Sequence, residues 1–118
     1  MNKKNLGNLG EELAITYLKS KGYKIITRNF RTRFGEIDIV CEKGDSIIFI
    51  EVRTKSDLST ILPEESITKK KIEKYKKLAL EYLEVSERKY KEIKFEFLGI
   101  EYKNNKNYQI THIENFID

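Results

Sequence analysis

Two short apolar runs constrain this chain more than anything else in it, because each has acids planted inside. They are Gly35-Glu36-Ile37-Asp38-Ile39 and Ile47-Ile48-Phe49-Ile50-Glu51-Val52-Arg53-Thr54-Lys55. Both read as strands, and Glu36, Asp38 and Glu51 stand where a sheet favours Val or Ile. A buried carboxylate is expensive unless something pairs with it. Acids held close in this way ask for a cation.

Lys43-Gly44-Asp45-Ser46 is the natural turn between the runs, with Gly44 free to take a positive φ. With Gly44 and Asp45 as the loop, Lys43 faces Ser46. Extending that register puts Asp38 opposite Glu51 and Glu36 opposite Arg53. Opposed residues have Cβ atoms about 4.5–5.5 Å apart. Side chains alternate along a strand, so Glu36, Asp38, Glu51, Arg53 and Lys55 share one face. Ile37, Ile39, Ile48, Ile50 and Val52 take the other as core. Two opposed carboxylates repel. Protonation of one relieves this, and so does a divalent ion with a taste for hard oxygen ligands, Mg²⁺ or Mn²⁺. A Glu36–Arg53 salt-bridge ladder with Asp38 in solvent is the structural alternative, and spacing alone leaves both open.

A length of 118 residues suits one domain, spanning 1–118. The hydrophobic share of 39% supports one core, while 36% charged residues demand a densely ionic surface. The net charge of +4 leans toward polyanionic partners. No run is long and apolar enough for a transmembrane helix, and the start lacks the apolar stretch of a signal peptide. The single cysteine, Cys41, has no internal disulfide partner and reads as a small buried hydrophobe. A reducing cytoplasm is the simple inference. With one Cys and one His, zinc sites of the Cys/His kind are excluded.

Residues 1–6 read as a flexible basic start. A helix opens at Gly7 or Asn8 and runs to about Lys21, with Leu13, Ala14, Tyr17 and Leu18 as its apolar stripe and Gly22 ending it. Glu11 falls on the edge of that stripe, either as a first-turn acid favoured by the helix dipole or as a further carboxylate aimed at the strands. Glu12 points to water. A strand follows over Tyr23–Phe30, then Arg28, Arg31 and Arg33 cluster before Gly35. They suit phosphate, or simply neutralise nearby acids. Ser56 to Pro63 is a loop. Pro63, Glu64 and Glu65 start a second helix that reaches about Val85, with Ile67, Ile72, Tyr75, Leu78, Ala79, Tyr82 and Leu83 as its stripe. Its first half is basic, with Lys69, Lys70, Lys74, Lys76 and Lys77 suited to a solvated face. Lys71 tracks the apolar stripe instead and is placed to reach inward. Strands over 95–102 and 108–113 flank an Asn104–Asn107 turn. His112, the lone histidine, reads as structural or surface. The order helix, three strands, helix, two strands gives an α/β domain around a mixed sheet.

These residues together resemble a known pattern. Gly10-Glu11-Glu12-Leu13-Ala14, Arg28-Asn29, Gly35-Glu36-Ile37-Asp38, Phe49-Ile50-Glu51-Val52-Arg53, the helix with Lys71 and Ala79–Leu83, Lys94-Phe95-Glu96 and Ile110–Ile113 look like the bacterial YraN family (UPF0102) over nearly the whole chain. That family is similar to the PD-(D/E)xK nucleases, which include Holliday junction resolvases and restriction endonucleases. The resemblance implies a restriction-endonuclease-like fold, a mixed central sheet flanked by helices, and metal-dependent hydrolysis of phosphodiesters.

Carried over by position, Asp38 and Glu51 take the motif's acids and hold one or two Mg²⁺ or Mn²⁺ ions, with Glu11 as the helical acid and Glu36 behind them. Arg53 stands at the motif's lysine. This is a departure, since arginine does not lose its proton and is no base. It still stabilises phosphate charge, and Lys55 or Lys71 stands near enough to substitute. Arg28, Arg31, Arg33, Lys70, Lys71 and Lys74 would hold the nucleic-acid backbone, DNA by analogy, through sequence-blind contacts. Symmetrical cutting of a junction would require a homodimer. The rivals are a nucleic-acid-binding protein that kept the fold and lost turnover, and an interaction protein with an ion-pair core.

Overall fold

The second apolar run becomes the middle strand of a five-stranded sheet, and everything else is arranged about it. The computed structural model describes residues 2–56 and 68–115. In chain order the elements are α1 (Lys3–Ser20), β1 (Lys24–Thr32), β2 (Gly35–Lys43), β3 (Ser46–Ser56), α2 (Lys69–Val85), β4 (Glu92–Asn104) and β5 (Asn107–Ile113). The sheet runs β1-β2-β3-β4-β5, so no strand is displaced from its sequence order. Tight turns make β1–β2, β2–β3 and β4–β5 antiparallel, while β3 and β4 are parallel. Parallel neighbours need a crossover, and α2 lies within it. The result is the mixed α/β, restriction-endonuclease-like fold.

Alternation along β3 divides the core. Ile48, Ile50 and Val52 pack with Ile39, Leu98 and Ile100 against Ala14, Ile15 and Leu18 of α1. Ile47 and Phe49 pack with Ile37 and Val40 against Tyr75, Leu78 and Ala79 of α2. The helices therefore cover opposite faces. Cys41 is wholly buried in the first cluster.

Three local expectations change. The helix at the amino end starts at Lys3, capped by Asn2, whose side chain accepts from the Asn5 amide at 2.8 Å. The segment 1–6 is therefore not a loose arm over its described residues: Leu6 and Leu9 pack on the core and extend the helix backward. The last hairpin is longer than its apolar pattern indicates, because β4 pairs with β3 along all of Ser46–Ser56. Third, Ile37 and Ile39 do not share a face. Ile39 lies under α1 and Ile37 under α2, so alternation breaks between them. The break sits beside Asn29, which lies between the pairs Arg28↔Ile39 and Phe30↔Ile37 and has φ 53°. Expectations for Ser56–Pro63, Pro63, Glu64, Glu65 and Ile67 lie, beyond Ser56 itself, outside the described residues. Where α2 is described, Thr68 caps it, accepting from the Lys71 amide at 3.2 Å.

Candidate metal centre

The hairpin turns as its sequence requires. Gly44 has φ 61°, Lys43 faces Ser46, and the register continues to Ile39↔Ile50. There the ladder stops. One residue further, the Asp38 side chain takes over: its Oδ2 accepts from the Val52 amide at 2.8 Å. A carboxylate thus replaces a backbone carbonyl and lies between the splayed ends of β2 and β3.

This corrects the structural alternative. No Glu36–Arg53 ladder forms among the described residues. Glu36 pairs across the other edge of β2 with Arg31, Nε to Oε2 at 2.9 Å. Arg53 instead approaches Glu51, Nη2 to Oε2 at 3.7 Å, and its buried Nε has no hydrogen-bond partner. Asp38 is part-buried, with its carboxylate engaged by the Val52 amide rather than left to bulk solvent.

Around Asp38 the carboxylates gather from three elements, α1, β2 and β3. Glu11 reaches across from α1, and one oxygen each from Glu11, Glu36 and Asp38 lie within 4.8 Å of one another. Glu51, only 5% exposed, hydrogen-bonds Asp38. Tyr75 of α2 hydrogen-bonds Glu51 in turn. Burial first, then the Glu51 carboxylate, push Asp38 well above the usual carboxylate range. Two carboxyls in that arrangement share a proton rather than both ionise. Desolvation also raises Glu11, against the opposing pull of Asn29 and Arg28.

Cations close the site. The acids line a cavity of about 810 Å³ together with Arg53, Lys55, Lys71 and Lys74. Lys71 faces inward from the first turn of α2, and desolvation and Arg53 lower its proton affinity despite Glu51 and Asp38. The other candidate cations sit elsewhere. Arg28 is tied to Glu12 at 2.8 Å on the surface. Lys70 is exposed and lines no cavity described here. Arg31 and Arg33 border a smaller groove that adjoins the acids through Glu36 and Lys74.

All-oxygen donors converging on one point suit a hard divalent ion such as Mg²⁺ or Mn²⁺, and the donor chemistry at Glu11, Glu36 and Asp38 fits one. Glu36 was expected behind the ligands, and it lies in the same carboxylate cluster as Glu11 and Asp38. Glu51 lies beside that cluster rather than in it.

Asn29 holds this arrangement together. Oriented to satisfy its neighbours, its side-chain amide donates to Glu11 Oε1 at 3.3 Å and to a Glu36 oxygen. Its left-handed backbone is what asparagine tolerates better than most residues, and the strand would not otherwise need it. The sequence signal was an isolated amide inside a strand-like run, which no periodicity distinguishes from a surface residue. Both Asn29→Ala and Asn29→Gly lose the amide, but only glycine relaxes the backbone. We expect Asn29→Gly to be the more stable of the two by about 1 kcal/mol in urea midpoints. An ordinary strand position gives the reverse order, so the usual order would overturn this account. Tyr75, read only as part of an apolar stripe, is a second such residue: its ring packs in the core while its hydroxyl serves Glu51.

A separate polar knot lies on the α1 face. Glu96 is 2% exposed and accepts from the Tyr23 hydroxyl at 2.8 Å, with His112 Nε2 also at 2.8 Å. His112 Nδ1 meets the Tyr17 hydroxyl at 3.0 Å. Both ring nitrogens are thus engaged, and the histidine fastens edge strand β5 to the helix and sheet.

Residues 10–112 match the model of a family described as "Uncharacterised protein family UPF0102". The chain is 48% identical over 112 residues to a UPF0102 protein of Syntrophomonas wolfei, covering 95% of this chain and 96% of that relative. A UPF0102 protein of Carboxydothermus hydrogenoformans is 42% identical over 118 residues, covering 100% and 99%. One of Persephonella marina is 43% identical over 112 residues, covering 95% and 92%. No described helix is long and apolar enough to cross a membrane. With a match that takes in both helices' site residues and the whole acidic hairpin, the chain belongs to the UPF0102 family.

Proposed function

We propose that this protein is a metal-dependent endonuclease that hydrolyses phosphodiester bonds in nucleic acid, DNA by the analogy with PD-(D/E)xK nucleases. One observation carries the reading: Glu11, Glu36 and Asp38 bring carboxylate oxygens within 4.8 Å of one another in a cavity that also holds cations. A structural ion-pair core has no reason to crowd acids around Asp38, which burial first and then Glu51 raise. A divalent ion held there, by Asp38 with Glu11 and with Glu36 or Glu51, would acidify a bound water and offset charge on the phosphate.

The chain's own groups supply the rest. Arg53 and Lys55 orient the phosphate, and Arg53 stabilises the charge that develops on it. Lys71, whose proton affinity burial lowers, is placed in the cavity to accept a proton. Lys74 holds the flanking backbone. Arg53 in the lysine place favours a second reading, a nucleic-acid binder without turnover, since arginine is no base.

Calorimetric titration with Mn²⁺, followed by incubation with labelled junction, flap and linear DNA, separates these. The nuclease reading expects Mn²⁺ binding and cleavage, with both lost in Asp38→Ala. DNA binding without cleavage under any divalent ion means the binder. Binding of neither metal nor DNA removes both readings.

A further inference from the structure

The hairpin turn ahead of the acids carries a feature that metal chemistry does not use. Thr32 pairs with Gly35, leaving Arg33 and Phe34 as the two turn residues. The Thr32 hydroxyl accepts from the Phe34 amide at 3.0 Å, which fixes the turn. Phe34 is 42% exposed although it is among the largest apolar side chains in the protein. Turn tips are normally polar, and an aromatic ring held in water there gains nothing for the fold. The Arg33 guanidinium lies 4.9 Å from the ring centroid and covers one side of it. Arg31, Arg33, Phe34 and Lys74 line a groove of about 320 Å³ that opens beside Glu36 and so continues into the acidic cavity. Gly35, with φ +143°, leaves room for Lys74, whose Cε would lie 2.6 Å from any Cβ added there.

We infer that Phe34 and the cations around it form a stacking subsite for an unpaired nucleotide flanking the bond that is cut. The inference rests on nucleic acid being the ligand of the acidic cavity. A polyanion explains the three cations, since Glu36 is the groove's one carboxylate and Arg31 already pairs with it. A flat apolar ring explains the exposed phenyl. An unpaired nucleotide has both, whereas a blunt duplex presents phosphates with its base faces hidden. Cationic grooves with aromatic platforms are the general solution to single-strand binding. From Phe34 to Asp38 is roughly 13 Å of strand, so the ring meets a neighbour of the reacting phosphate rather than that phosphate itself. The preferred substrate therefore has single-stranded character beside the cleavage point.

The test uses the full chain in EDTA, so that cleavage plays no part. Fluorescence anisotropy compares a labelled oligothymidylate with a blunt duplex. Phe34→Ala should bind the single strand about tenfold more weakly and the duplex within about twofold of the unaltered protein. The chain has no tryptophan, so Phe34→Trp supplies a lone indole that should retain affinity and be quenched as the single strand binds. Equal loss on both DNAs, no loss on either, or an unquenched indole in a bound complex overturns the subsite and leaves the nuclease reading standing. Loss of binding to anionic phosphatidylglycerol vesicles, with single-strand affinity unchanged, would assign the ring to lipid and overturn it as well. Failure of the unaltered protein to bind any DNA removes the nucleic-acid reading itself.

Discussion

In the absence of divalent metal, Asp38→Asn should be more stable than the unaltered protein at pH 7, by about 1–2 kcal/mol, and should bind Mn²⁺ about tenfold or more weakly. Asparagine keeps the oxygen that accepts from the Val52 amide and offers Glu51 a permanent donor. The cost of burying an ionisable group there, and its repulsion by Glu51, are thereby removed. The pH dependence follows from the same shift. The folded protein keeps a proton on Asp38 that the unfolded chain has already released above its ordinary value of 3.8. The native state thus binds more protons, and stability falls as pH rises from that value until Asp38 ionises in the fold. Glu11, also raised, adds a slope of the same sign above 4.5. Asp38→Asn removes the larger slope, so its advantage in EDTA should widen between pH 5 and pH 8. Urea midpoints across that range measure it, and a gap that stays constant or narrows would overturn the shared-proton account. Saturating Mn²⁺ should reverse the order, since the ion stabilises only the protein that retains its ligands.

The difference between what the sequence disclosed and what it concealed is physical. The hairpin register was legible from the turn as far as Ile39 because Gly44 fixes the turn and Ile39 faces Ile50 as it dictates. Asp38 and Glu51 are neighbours as that register expects, although they are not a backbone pair. The backbone pairing ends at Ile39 and Ile50, before Asp38 and Glu51 and well before Glu36 and Arg53, because the Asp38 carboxylate takes the Val52 amide. No period describes a side chain that substitutes for backbone. The inward position of Lys71 was readable from its place on the apolar stripe of α2, while the use of Tyr75 was not, since an aromatic there is ordinary core. The first turns of α1 were hidden for another reason. Lys3, Lys4 and Asn5 carry no apolar stripe, and the helix extends through them because Asn2 caps it and Leu6 and Leu9 find the core.

Gly10 is where the fold and the candidate site meet most closely. Gly10→Ala should lower stability by about 2–3 kcal/mol, although alanine in a helix ordinarily gains about 1 kcal/mol over glycine. A Cβ at Gly10 would lie 2.8 Å from Thr54 Cβ and land on the Thr54 hydroxyl. Turning the threonine moves its hydroxyl but not its Cβ, so α1 must lift away from β3. Glu11 is the next residue and travels with the helix, which opens the carboxylate cluster. Urea midpoint and Mn²⁺ affinity should therefore fall together. Gly7 is the matched control, because an added Cβ there meets nothing within 4 Å. Gly7→Ala should be neutral or stabilising by up to about 1 kcal/mol. The close approach also predicts a coupling. In a Thr54→Gly background the obstacle is gone, and Gly10→Ala should then recover most of its loss, an interaction of about 1–2 kcal/mol in a double-mutant cycle. Additive losses would mean that α1 is not seated through this contact, and the placement of Glu11 would need another cause.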